Sequence, residues 1–270
     1  MEDNKKKAIQ QIIDDEIKDF AEKFEKRYAS EVDNPEGVIN NKKNNCFVAE
    51  LGQEFMFYSA FVRSFDSAFG NKLEEIGNKI AELSYDVKND VESFLLPQQS
   101  QHMDYIMIEY EKHRKPKVKD YADFECIIPE DTRSYERNHV TDHYFYNEKE
   151  NEHYLIELKA SGDLDNKKAK SEKLALLQEY FILKNSLIDK PGDKIKIFLG
   201  TAYNKFGENN EWKQERVKQF FAEDELLIGK DYWDFVCDDE DGFNIVFEQY
   251  KKSSVRIKEA IENIKKMYFE

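Results

Sequence analysis

The chain has 270 residues, 40% hydrophobic, 36% charged and 14% aromatic. Twenty Phe and 15 Tyr supply enough apolar bulk for a large packed core, which excludes a disordered chain. A net charge of −15 weighs against a nucleic-acid partner, because phosphate binding needs Lys and Arg, but a total does not describe local patches.

No apolar run approaches the roughly 20 residues of a membrane-spanning helix. The start, Met1-Glu2-Asp3-Asn4-Lys5-Lys6-Lys7, has no secretory apolar stretch, so a cytoplasmic protein is expected. Cys46, Cys126 and Cys237 are odd in number and lack metal or disulfide spacing; buried free thiols are expected.

In chain order, Ile9, Ile12, Ile13, Ile17, Phe20 and Phe24 are spaced as one face of a helix over 5–30. Residues 31–45 are a polar connector, and 1–45 is read as a helical segment ahead of a 46–270 domain. From 47 to about 96 a long helical region is predicted, broken at Gly52 and Gly70. Phe65, Phe69, Leu73, Ile76, Ile80 and Leu83 form its apolar stripe. Past residue 100 the period changes, and 105–108 and 121–128 read as strands. Between them Lys112, Arg114, Lys115, Lys117 and Lys119 form a basic run, a candidate phosphate clamp or a plain exposed loop.

Strand-like runs at 143–146 and 153–156 flank the wholly polar segment 147–152, which makes a hairpin. A polar loop at 160–165 leads into a helix over 166–185, carrying Lys167, Lys168, Lys170 and Lys173. Residues 194–199 are a strand ending at Gly200-Thr201. Helices over 211–222 and 229–236, a strand at 243–248 and a helix over 253–268 complete the chain. This order predicts an α/β fold in which a mixed β-sheet is flanked by helices, with a helical N-terminal region.

The hairpin carries the chemistry. Its loop is symmetric about the 149–150 bond, so Tyr146 pairs with His153 and His143 with Ile156. One further step sets Asp142 opposite Glu157. Cross-strand partners share a face, as do residues i and i+2, so Asp142, Glu157 and Lys159 converge. Two adjacent carboxylates repel unless a cation or a proton lies between them, and Mg²⁺ suits such oxygen ligands. With a lysine beside them, the residue types suit phosphodiester hydrolysis. The acid-x-Lys tripeptide itself occurs six times, and an ordinary charged pair at a sheet edge is the alternative. What distinguishes this copy is its apolar strand, the paired acid and the polar loop after it.

The run from Tyr154-Leu155-Ile156-Glu157-Leu158-Lys159 through Ala160-Ser161-Gly162-Asp163 to Lys168-Ala169 resembles the catalytic strand and following loop of TdeIII-like type II restriction endonucleases, in the PD-(D/E)xK superfamily. Residues 63–75 are similar to the helix that carries a further active-site glutamate there, and 200–204 and 225–235 are similar to downstream segments. The resemblance covers about 47–250 and implies a nuclease domain over 46–270. It implies Mg²⁺ on Asp142 and Glu157, water activation by Lys159 and support from Glu74. Thr141 stands where the superfamily's name has proline, and whether Glu74 or Glu75 faces the metal is open. It further implies cleavage of double-stranded DNA to 5′-phosphate ends, a homodimer and a companion DNA methyltransferase. Asn166, Lys167 and Lys168 at a helix start, and Tyr203 and Asn204 past a strand end, are candidate DNA contacts; a solvated helix start and a turn are the alternatives. Two rival functions stand beside this one: a repair or transposon-type nuclease of the same fold, and a non-catalytic acidic DNA mimic.

Overall fold

A computed structural model describes all 270 residues. Helices α1 (Asp3–Glu31), α2 (Cys46–Ala49) and α3 (Gln53–Ala81) come first. Strand β1 (Asp86–Phe94), α4 (Pro97–Glu111), α5 (Lys119–Ala122), β2 (Glu136–Asn147), β3 (Glu152–Lys159), α6 (Asn166–Ser186) and β4 (Lys194–Thr201) follow. The chain ends with α7 (Glu215–Lys218), β5 (Leu226–Ile228), α8 (Lys230–Cys237), α9 (Gly242–Ser253) and α10 (Val255–Phe269). It divides into two compact units, 1–76 with 244–270, and 77–243. No helix is long and apolar enough to cross a membrane.

The first unit is helical. The α1 stripe of Ile9, Ile13, Ile17, Phe20, Phe24 and Tyr28 is buried, as its spacing predicts, and α1 packs against α10. Phe24 meets Phe61 and Phe65 of α3 edge-on at 5.7 and 5.6 Å. The Lys72 ammonium sits 2.8 Å from Glu16, 3.1 Å from Asp19 and 2.6 Å from Glu75, an ionic clamp between α1 and α3.

The second unit holds a five-stranded mixed sheet in the order β1-β2-β3-β4-β5, antiparallel across β1, β2 and β3 and parallel from β3 through β5. The parallel β3–β4 pair needs a crossover, and α6 supplies it. Leu176, Leu177, Tyr180 and Phe181 of α6 pack with Val91, Tyr144, Leu155, Ile197 and Leu199 of the sheet. On the opposite face Tyr85 and Phe235 stack around Phe145 and Tyr154.

Several expected elements differ. Residues 86–94 are strand β1, not helix. Its residues are mostly polar and exposed and Val91 alone is buried, so backbone pairing at the sheet edge, with no apolar period to read, makes it a strand. Gly70 stays helical; Gly52, at φ +89°, is the break. The β-like run 105–108 lies inside α4. Pro97 at the first turn and buried Met103, Ile106, Met107 and Tyr110, at helical spacing, decide it. Residues 121–122 close the short α5, and 123–128 follow as irregular chain. The expected 243–248 strand is α9, which buries Ile245 and Val246 together on one side. The expected 211–222 helix shrinks to α7, and three-residue β5 went unforeseen. Cys237 is buried, whereas Cys46 is exposed and Cys126 intermediate.

Candidate active site

The hairpin register is the expected one, with Tyr146 opposite His153 and His143 opposite Ile156. The β2–β3 ladder does not continue to Asp142 and Glu157. On its other side β2 spans Tyr144 to Val140 while β1 spans Lys88 to Asp90, so β2 bulges by two residues around Asp142. The bulge turns the Asp142 carboxylate toward β3, where Oδ2 accepts the Leu158 N–H at 3.0 Å. A side chain thus takes the place of a ladder carbonyl, and Asp142 remains beside Glu157.

Glu157 and Lys159 project from the β3 face that α6 covers. The Lys159 ammonium contacts Glu157 and stands 3.4 Å from Glu172 of α6. One helix turn pair further on, buried Glu179 lies 2.9 Å from His139 Nδ1. Burial pushes the Glu179 carboxyl up, and that carboxylate in turn holds His139 above its ordinary value. Sequence reasoning missed Glu172, Glu179 and His139. The one available signal was an acid at 179 on the apolar face of α6, between Leu176 and Leu183.

Burial first, then the Asp142 charge, push Glu157 up to about 8. Lys159 moves the other way from a desolvated amine: burial disfavours its charge, but Glu157, Glu172 and Asp142 outweigh that and keep it cationic. A carboxyl raised in the folded state binds its proton more tightly there than in the unfolded chain. Its stabilisation is therefore complete below about 4.5 and is lost as pH rises toward about 8. In thermal melts without metal, wild type is expected to lose several degrees relative to Glu157→Gln between those limits. A parallel pH dependence of the two proteins would contradict the assignment.

The opposite face of the sheet fixes Asp142 from behind. Asn78, in the last turn of α3, donates from Nδ2 to the Asp142 carbonyl at 3.1 Å. Its Oδ1 therefore accepts from His143 Nδ1 at 2.8 Å, which leaves His143 Nε2 to accept the Tyr232 hydroxyl at 2.8 Å. Burial lowers His143 to about 3, so this ring is a neutral strut. Gly77 makes room for it: a Cβ there would lie 2.4 Å from the Tyr232 oxygen and 3.2 Å from His143. Gly77→Ala is expected to cost about 1–3 kcal/mol in denaturant unfolding through overpacking. An unchanged midpoint would argue against a rigid strut.

The other candidates are spread over several places. Asn166 donates to Gln219 at 3.2 Å, and Gln219 lines a cavity of about 300 Å³ together with Arg114, Lys115, Arg216 and Lys218. The start of α6 thus reaches, through Gln219, the edge of a concave surface lined by the basic run, to which α7 adds Arg216 and Lys218 beside Glu215. Lys112, Lys117, Lys119, Lys167 and Lys168 are exposed. Arg114 is held by Asp120 at 2.9 Å. Lys173, counted among the basic residues of α6, is instead wholly buried, 2.5 Å from Glu225. Tyr203 is exposed past β4, and its N–H and that of Ala202 both bond the Ala160 carbonyl, directly after Lys159. Asn204 is buried, and its amide accepts from Phe206 N–H and donates to the Asn210 carbonyl within one turn. Glu74 lies half-buried on α3 in the first unit, and the adjacent Glu75 joins the Lys72 clamp.

A divalent cation suits this donor set. Two carboxylates, one made hard to ionise first by burial and then by the other's charge, are what a cation beside them relieves. No group of three or more His, Cys, Asp or Glu converges as a metal cage. Mg²⁺ needs none, since it keeps several waters and accepts phosphate oxygens beside one or two carboxylates. The family model described as Type II restriction endonuclease, HinfI, matches residues 5–254. No curated protein and no solved structure matches the chain.

Proposed function

The chain belongs to the HinfI family of type II restriction endonucleases, and from that premise we propose that Asp142, Glu157 and Lys159 are its catalytic centre. The reading is a Mg²⁺-dependent enzyme of the PD-(D/E)xK kind, TdeIII-like, that cuts both strands of DNA at a short site. The observation that carries it is the hairpin end, where a bulge brings Asp142 beside Glu157 and Lys159 lies two residues on.

Asp142 and Glu157 would hold the cation, which when bound would supply Lewis-acid polarisation of the phosphodiester and make the attacking water more acidic. Lys159, kept cationic by its carboxylate neighbours, orients the attacking water and stabilises the charge that builds on the phosphate oxygens. Attack at phosphorus and departure of the 3′ oxygen leave a 5′-phosphate and a 3′-hydroxyl. Glu74 is proposed to support the centre. Lys112, Arg114, Lys115, Lys117 and Lys119, with Asn166, Lys167 and Lys168, are proposed to hold the phosphate backbone, and Tyr203 to face the groove. A two-fold target is met most simply by a homodimer, and a companion methyltransferase protects host sites.

The test is incubation with unmethylated phage DNA and Mg²⁺. Discrete fragments with 5′-phosphate ends are expected, and light scattering of the DNA complex should give a dimer's mass. A smear would favour a repair-type nuclease, and no cutting with Mg²⁺ or Mn²⁺ across several DNAs would overturn the reading.

A further inference from the structure

A cavity of about 860 Å³ opens on the unit formed by 1–76 and 244–270. Its charge comes from Arg27 near the end of α1, Lys42 in the 40–44 turn and Arg63 on α3. No carboxylate lines it, in a chain whose net charge is −15. Arg27 is tied back by Glu31, 2.9 Å from its Nε, whereas Lys42 and Arg63 have no such partner. One wall is a stripe of α3 in which Ala60, Ser64, Ser67 and Ala68 recur every three or four residues. That stripe is neither apolar like a core face nor acidic like the surrounding surface. Its small side chains let a ligand backbone come close to the helix, and the amides of Asn44 and Asn71 add donors and acceptors beside it.

Two unpaired cations, a carboxylate-free lining and amides describe a site for a polyanion that also carries hydrogen-bonding edges. We propose that this groove is a duplex-DNA contact surface separate from the basic run 112–119. In it Lys42 and Arg63 take phosphates, and the amides take sugar or base edges. The proposal rests on reading the chain as a DNA-cutting enzyme. It places part of target binding in a unit other than the one that carries Asp142, Glu157 and Lys159.

The experiment is fluorescence anisotropy of the full chain with a labelled DNA duplex over a salt series, with Ca²⁺ in place of Mg²⁺. For Lys42→Glu/Arg63→Glu the expected result is at least about tenfold weaker binding, with the salt slope reduced by roughly two. Lys42→Gln/Arg63→Gln separates lost contacts from repulsion and is expected to show the same slope change with a smaller loss. Thermal melts should match wild type, since neither side chain is buried. Variants with wild-type affinity and slope would discard the groove, and if they still cut DNA the nuclease reading would stand. A wild type that binds duplex through this groove yet never cuts it would discard the nuclease reading instead. A wild type that binds no duplex at all would discard both.

Discussion

Lys159→Ala is expected to slow DNA cutting by about a hundred- to a thousandfold, while duplex binding with Ca²⁺ stays within a few-fold of wild type. The size of the effect follows from where the charge sits. The ammonium is held against Glu157 and 3.4 Å from Glu172, on the sheet face beside Asp142. On the proposed mechanism, removing it takes away the group that meets the charge developing on phosphate. It also takes away an interaction that lowers the Glu157 carboxyl against burial and Asp142, so ionising Glu157 becomes harder. The variant should therefore need more Mg²⁺ and a higher pH to reach its reduced maximum. Single-turnover cutting with excess enzyme, at several Mg²⁺ concentrations and pH values, separates these two losses from binding. A rate within a few-fold of wild type, with the same metal dependence, would place the chemistry elsewhere. Lys159→Arg keeps the charge but not the compact ammonium, and partial activity is expected of it.

What was legible in the sequence and what was not divide along a physical line. The hairpin was legible because a symmetric polar loop fixes its register, and register fixes which side chains share a face. The shared face of Glu157 and Lys159 followed from it, but the direct pairing of Asp142 with Glu157 did not, because the ladder stops at His143 and Ile156. The bulge that re-aims Asp142 was not legible, because two extra residues in β2 leave no mark until β1 pairs alongside. Strand β1 was itself hidden, since an edge strand of polar residues shows no alternation. Residues 105–108 misled in the opposite sense: Tyr-Ile-Met-Ile has strand-like content, and only the wider spacing of Met103, Ile106, Met107 and Tyr110 shows a helix. Asn78 and Glu179 act through contacts 64 and 40 residues away in sequence, to Asp142 and His139. No local pattern predicts such a contact. The basic patch shows the same limit: a run of like charge reveals 112–119, but Arg216 and Lys218 join it only in the folded chain.

The buried pair behind the site sets the largest expected stability effect. Lys173 is the residue after Glu172 on α6 and is wholly enclosed; its ammonium lies 2.5 Å from Glu225, itself 1% exposed. Burial lowers the lysine pKa, and the Glu225 carboxylate, with a smaller contribution from Asp120, opposes this. Glu225 also accepts the Tyr121 hydroxyl at 2.7 Å and the Ala222 N–H at 2.7 Å, so one carboxylate ties α6, α5 and the turn before β5 together. Lys173→Met leaves that carboxylate buried without its cation and is expected to cost about 3–5 kcal/mol. For a chain of this size that corresponds to a melting point lower by on the order of 10 °C. Lys173→Met/Glu225→Gln removes the stranded charge while keeping an acceptor for the Ala222 N–H, with the amide NH2 turned to the Tyr121 hydroxyl oxygen, so it should recover a substantial part of the loss. That recovery separates a charge effect from a packing effect, because the methionine is present in both proteins. A double variant no more stable than the single one would mean that the ammonium acts through packing. If the pair also holds α6 in place, both variants should cut DNA more slowly even when fully folded. Glu172, and through it Lys159, depends on the position of that helix.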